Sequence, residues 1–149
     1  MALEEARLAG ARGEVPVGAV VLEPDGAVVA RDGNRTDASC DASAHAELLV
    51  LRAAAAQRRT PRLEGCDLVV TLEPCPMCAA AISLFRIRRL IFGAYDPKGG
   101  GVEHGARIFD ASSCLHHPEV IGGVREQEAA ALLRAFFQEL RASRPQMQL

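Results

Sequence analysis

The sequence predicts one layered α/β domain, and three observations carry the prediction. An opening hairpin pattern is followed by strand and helix signals in alternation, the arrangement that packs helices onto a sheet. The chain's 149 residues suffice for one core and are too few for two ordinary domains, so residues 1–149 read as a single unit. With 49% apolar and 24% charged residues, enough apolar surface is available to offset the entropy of ordering, which excludes a disordered chain.

The elements follow in order. Leu3, Ala6, Leu8 and Ala9 give residues 1–13 the stripe of a charged amphipathic helix, which Gly10 to Gly13 ends. Residues 15–22 are β-branched and apolar, Pro24-Asp25-Gly26 marks a turn, and residues 27–31 form the returning arm of a hairpin. Residues 32–43 are polar and read as a loop. Asp41 or Ser43 is the expected cap of a helix over 44–57, whose alanines favour it. The continuous apolar run at 66–72 reads as a buried strand. Pro76 suits a first helical position and opens a helix through about residue 85. Residues 88–94 give another strand, and 95–117 a long Gly-rich loop with a short helical piece near 106–111. Loops of that length are usually functional. An edge strand at 119–122 and an amphipathic helix over 125–141 complete the pattern.

Bulk properties narrow the function. A formal net charge of -2 gives no general affinity for nucleic acid, so any such footprint must be local. The cations are nearly all arginine, Lys98 being the sole lysine. No stretch approaches the ~20 consecutive apolar residues that span a bilayer. The first residues read as a helix rather than a secretory signal, so the expected location is the cytoplasm. Five cysteines (Cys40, Cys66, Cys75, Cys78, Cys114) form no paired framework, which turns attention to the closest two as metal ligands or catalytic groups.

Two short segments carry chemistry: His45-Ala46-Glu47 and Pro74-Cys75-Pro76-Met77-Cys78. With Pro76 at the first helical position, Cys75 falls at the cap and Cys78 one turn along, on the same helix face. The unpaired N–H groups and dipole of a helix start favour thiolate over thiol. A Cys-x-x-Cys pair alone also fits a redox dithiol, half of a structural zinc site, or two buried small residues. His45 adds a third ligand, and no fourth cysteine or histidine stands at ligand spacing. Three protein ligands leave a coordination position open, which marks a catalytic rather than a structural zinc site. His45 and Glu47 are two apart and can cooperate only within a first helical turn, where the predicted start near Ala44 puts them. Two thiolates neutralise the ion's +2 charge, so its bound water is less acidic than beside three imidazoles, and Glu47 is expected to act as base and then acid.

His-x-Glu followed by Pro-Cys-x-x-Cys is the signature of zinc nucleobase deaminases. More of the chain matches than these ligands. The blocks at 14–20, Gly33-Asn34-Arg35, 44–47, 71–78, Phe92-Gly93-Ala94 and Leu115-His116-His117-Pro118 together resemble bacterial tRNA adenosine deaminases of the TadA type. That resemblance implies a cytidine deaminase-like α/β/α sandwich around a mixed five-stranded sheet, usually a homodimer with one Zn2+ per subunit. The implied reaction is hydrolysis of an amidine C–N bond, converting the wobble adenosine of a tRNA anticodon loop to inosine. By position, Asn34 would hydrogen-bond the purine, Asp96 and Lys98 would touch the anticodon-loop backbone, and Phe137 would approach the RNA from the last helix. Tyr95 stands where that family carries arginine or another polar residue, and the last helix lacks a strongly basic tail.

Other residues receive plainer expectations. Glu73 fits a structural carboxylate that accepts nearby backbone donors. His104, His116 and His117 fit hydrogen-bonding and loop-shaping roles. Arg86, Arg88 and Arg89 fit a solvated edge, Cys40, Cys66 and Cys114 small buried or neutral residues, and at least one of Phe136 and Phe137 a core position. Two other functions remain open at this point: a deaminase of free bases or nucleosides of the guanine or cytosine type, whose pocket the C-terminus would close, and a zinc-stabilised binding module.

Overall fold

The computed structural model describes residues 1–144. The elements are α1 (Ala2–Ala11), β1 (Gly18–Leu22), β2 (Val28–Gly33), α2 (Ala46–Arg58), β3 (Asp67–Leu72), α3 (Pro76–Leu84), β4 (Arg89–Ala94), β5 (Glu119–Ile121) and α4 (Glu126–Ser143). A single 3-10 turn at Ile108–Asp110 interrupts the long loop before β5. Each predicted element is present, with ends shifted by a few residues, the usual scatter of boundaries.

The strands form one mixed sheet in the order β2-β1-β3-β4-β5. β1 pairs antiparallel with β2 and with β3, while β3, β4 and β5 run parallel. α1 and α4 pack together against one face, and α2 with α3 covers the other, giving three layers. The main core lies under α2 and α3, where Leu51, Leu63, Leu68, Ile82, Ile87, Leu90 and Phe92 are fully buried. Side chains of that size each contribute about 1.5–3 kcal/mol on burial.

On the opposite face the sheet carries glycines where helices press close. A Cβ at Gly18 or Gly33, register partners in the hairpin, would collide with the α1 backbone. At the edge, Arg88 donates two hydrogen bonds to Asp67 at 2.9 and 2.8 Å, and Arg89 one to Glu119 at 2.9 Å. The expected solvated arginines therefore tie the starts of the parallel strands together.

Three expectations need correction. Neither Asp41 nor Ser43 caps α2: Asp41 bonds to Ser43 in a local turn, and the Ala46 N–H is taken by the side chain of Asn34, from the end of β2. Phe136 is half-buried and Phe137 exposed, because α4 lies at the rim of its layer and buries only Ala129 fully. Cys40 is exposed, at a turn with φ of 49°. Among the described residues, no helix is long and apolar enough to cross a membrane.

Candidate metal centre and active site

The site forms where two helix starts meet beside the end of β3. His45 is the N-cap of α2, with extended φ and ψ of -74° and 147°, so its ring turns away from the helix body. Cys75 is the N-cap of α3, Pro76 follows at the first helical position, and Cys78 lies one turn in. His45 Nδ1 stands 3.6 Å from Cys75 Sγ and 3.7 Å from Cys78 Sγ. Tetrahedral zinc, with ~2.3 Å to sulfur and ~2.0 Å to nitrogen, holds its nitrogen and sulfur ligands about 3.6 Å apart. The three atoms thus have the spacing of one zinc shell, and they form the one metal-ligand group of this kind among the described residues.

Electrostatics fits the same reading. The Cys75 thiol is held down to about 4, first by a hydrogen bond from Cys78, then by its partnership with His45, against the opposing effect of burial. Cys78 is pushed up by the hydrogen bond that its thiol donates to Cys75 and by burial. His45 is raised, chiefly by its hydrogen bond with Cys75. A divalent ion bound here would supply the positive charge that lets both sulfurs ionise.

Glu47, second residue of α2, is only 4% exposed. Burial pushes its carboxyl up to about 7, opposed by its own backbone N–H and by His45. A carboxyl titrating near neutrality can both take and return a proton. Glu47 lines a cavity of about 330 Å3 together with His45, Cys75, Asn34 and Thr36, while Val15, Val17 and Leu72 supply apolar walls. Asn34 Oδ1 accepts the Ala46 N–H at 2.9 Å, which leaves its amide NH2 as a donor.

Asp96 and Gly99 form the far wall and continue into a second hollow of about 790 Å3 between the β4–β5 loop and α4. Lys98, Tyr95, Phe137, Arg134 and Arg141 line this groove. Asp96, Lys98 and Phe137, the residues expected to meet RNA, line this same groove. The Asp96 carboxylate, however, accepts the Lys98 and Gly99 N–H groups at 3.2 and 2.9 Å, so it also shapes its own loop. Arg134 and Arg141 went unnoticed, although their seven-residue spacing puts them on one helix face. Tyr95 packs edge-on against Phe92 and His104, with centroids 5.2 and 5.9 Å away, so it acts as a prop as well as a wall.

Two buried carboxylates hold the walls. Glu73 Oε1 accepts the N–H groups of Val102, Glu103 and His104, and Oε2 those of Asp96 and of the His104 ring. That is the structural role expected of it. On the other side Glu14 accepts from Thr36, Asp37 and Ala38, a role no local pattern announced. His116 and His117 donate to the carbonyls of Ile87 and Cys114, shaping the loop before β5.

A three-layer fold with a histidine, two cysteines and a buried carboxylate at two helix starts defines a zinc deaminase, and the chain belongs to the family described as cytidine and deoxycytidylate deaminase zinc-binding region, which matches residues 1–94. Within that class it is 57% identical over 141 residues to the tRNA-specific adenosine deaminase of Agrobacterium fabrum (strain C58), covering 95% of this chain and 92% of the relative. A structure from work on A-to-I editing by tRNA:A34 deaminases at the wobble position of transfer RNA superposes with a TM-score of 0.87 at 57% identity, covering 89% of this chain and 95% of that one. A guanine deaminase from Nitrosomonas europaea superposes with a TM-score of 0.79 at 27% identity, covering 91% and 80%.

Proposed function

We propose that this protein is a zinc-dependent hydrolase that converts adenosine to inosine at the wobble position of a tRNA anticodon loop. One observation carries the choice of substrate: the catalytic cavity opens into a groove walled by Arg134, Arg141 and Lys98 with Phe137 and Tyr95 beside them. Cations for phosphates and aromatic faces for bases are what a single-stranded nucleic acid needs. The 57% identity to a tRNA-specific adenosine deaminase supports the same substrate.

Bound by His45, Cys75 and Cys78, zinc would supply a Lewis acid that makes a water acidic enough to attack. Asn34, its oxygen committed to Ala46, presents its NH2 to an acceptor nitrogen of the purine and sets the ring in register. Glu47 takes the proton of the attacking water and delivers it to ring N1. It then moves a second proton to the exocyclic amine, which leaves as ammonia while C6 becomes a carbonyl. Water and adenine are thereby converted to hypoxanthine and ammonia with no net change in protons. Val15, Val17 and Leu72 exclude bulk water from the base. The reacting base must be splayed out of a stack to enter, which an anticodon loop allows.

The same reading takes residues 1–149 as one deaminase domain, of which 145–149 lie outside the described residues, and places it in the cytoplasm with tRNA. It also takes the protein as a homodimer. Leu84 and Leu115, 75% and 83% exposed beside one apolar hollow, support self-association, since such side chains seldom stay in water together.

A free-base deaminase is the second reading, favoured by the likeness to a guanine deaminase. Incubating zinc-loaded protein with total tRNA and, separately, with free guanine and cytosine decides between them. Inosine in tRNA with matching ammonia is expected; ammonia from a free base with tRNA unchanged supports the second reading.

A further inference from the structure

Glu73, which lines the catalytic cavity, and Tyr95, which lines the groove, meet at His104, which lines neither. Glu73 is 1% exposed and its two oxygens accept from four backbone N–H groups and one ring N–H. Four of these five donors lie at 102–104 and only one at Asp96, so a single carboxylate joins the two ends of the loop that carries Lys98. The backbone donors are available to almost any residue. The ring of His104 is the contribution that depends on a particular side chain: Nδ1 donates to Glu73 Oε2 at 2.8 Å. That same oxygen accepts the Asp96 N–H at 2.9 Å, so His104 and Asp96 share one acceptor.

The loop is shaped for this contact. A Cβ at Gly100 would stand 2.6 Å from Glu73 Oε1, and one at Gly101 2.5 Å from the Pro76 nitrogen, so only glycines let the chain pass between Glu73 and the start of α3. Gly101 also donates to the Pro74 carbonyl at 2.8 Å. Tyr95 closes the cluster by packing edge-on to the His104 ring, and Gly122 leaves room for the Tyr95 hydroxyl.

We propose that His104 is a positioning residue for substrate binding: by holding Glu73 Oε2 it fixes Asp96 and Lys98 in the place from which they meet the nucleic acid flanking the reacting base. This rests on the substrate reading above. His104 touches neither the metal ligands nor Glu47, so its influence falls on binding rather than on the chemical step. A charge-assisted hydrogen bond orients its acceptor more strongly than a neutral one. Losing it leaves Oε2 with the Asp96 N–H as its one donor, so that end of the loop is held by a single hydrogen bond to a less firmly oriented oxygen.

The experiment compares wild type, His104→Leu and His104→Asn, each zinc-loaded, on a synthetic RNA stem-loop carrying one adenosine at the first anticodon position. His104→Leu is expected to raise KM about tenfold, the order of one such hydrogen bond, with kcat within about twofold of wild type. His104→Asn, whose amide can donate in place of Nδ1, is expected to restore KM. Hydrogen exchange at the Asp96, Glu103 and His104 amides is expected to quicken in the leucine variant and not in the asparagine variant. Unchanged KM and exchange in His104→Leu, a loss of kcat or zinc in place of a rise in KM, or an asparagine variant as impaired as the leucine one would each overturn the proposal. A wild type inert on the stem-loop would sink the substrate reading instead, and the exchange comparison would still decide whether His104 anchors the loop.

Discussion

The side-chain oxygen of Asn34 accepts the backbone N–H of Ala46 at 2.9 Å, so the residue at the end of β2 caps the helix that carries His45 and Glu47. One amide group is thus given two roles by the proposed mechanism. Its oxygen fixes the helix start, and its NH2 is the donor proposed to hold the purine in the cavity that Asn34 lines.

The two roles separate by substitution. Asn34→Ala loses both, and is expected to cost about 1 kcal/mol of stability through the lost cap, roughly 2–4 °C in Tm. Asn34→Asp keeps an acceptor for Ala46 and loses the donor, so its Tm should stay near wild type. Both should lower kcat/KM for RNA about ten- to a hundredfold, the range for a hydrogen bond left unmade in a site built for it. Wild-type kcat/KM in Asn34→Asp would remove the donor role.

The proposed mechanism gives Glu47 the proton transfers and leaves it outside the His45, Cys75 and Cys78 group. Glu47→Gln keeps its shape and is expected to retain one zinc per chain while kcat falls by about 10²–10⁴, the usual contribution of a positioned acid and base. Metal analysis beside single-turnover deamination measures both. Near-normal turnover would take Glu47 out of the reaction.

Metal removal should also be visible without any substrate. If zinc is supplied at a thousand times its Kd, binding stabilises the fold by about 4 kcal/mol, roughly 10 °C in Tm for a chain of this length. Chelation is expected to remove that increment from wild type and to leave Cys78→Ala unaffected, since it would hold no zinc. Scanning calorimetry with and without a chelator tests this.

Acid should loosen the walls of the site before the core. Burial pushes Glu14 up, but the amides of Ala38 and Asp37 and the Thr36 hydroxyl outweigh it and hold its carboxyl below the ordinary 4.5. Glu73 is lowered in the same way, burial being outweighed by the Asp96 amide and His104. A folded value below the unfolded one contributes stability that is present above pH 4.5 and lost as pH falls through the folded value. Tm is therefore expected to decline below pH 4.5, and less steeply in Glu14→Gln, which starts from a lower Tm at neutral pH. Parallel acid curves for wild type and Glu14→Gln would contradict this.

What was legible in the sequence was what the chain specifies locally. Pro76 after Cys75 sets a helix start within one turn of Cys78, and the strands announce themselves by apolar runs, so the ligands and the sheet could be read directly. The cap of α2 could not, because its partner lies 12 residues away across a loop whose own Asp41 and Ser43 offered a plausible local cap. Glu14 escaped notice for the same reason: it reaches Ala38 over 24 residues, and its burial depends on a loop fold that no periodicity encodes. Phe136 and Phe137 misled in the other direction. Their helix has an apolar stripe, yet part of that stripe faces a groove instead of the core.

The arrangement at the heart of the site is tested most directly by zinc K-edge absorption spectroscopy of the loaded protein. One nitrogen and two sulfur neighbours are expected, at about 2.0 and 2.3 Å, with one further light atom that no protein side chain supplies. A shell of four protein ligands, or one without sulfur, would contradict the enzyme described here.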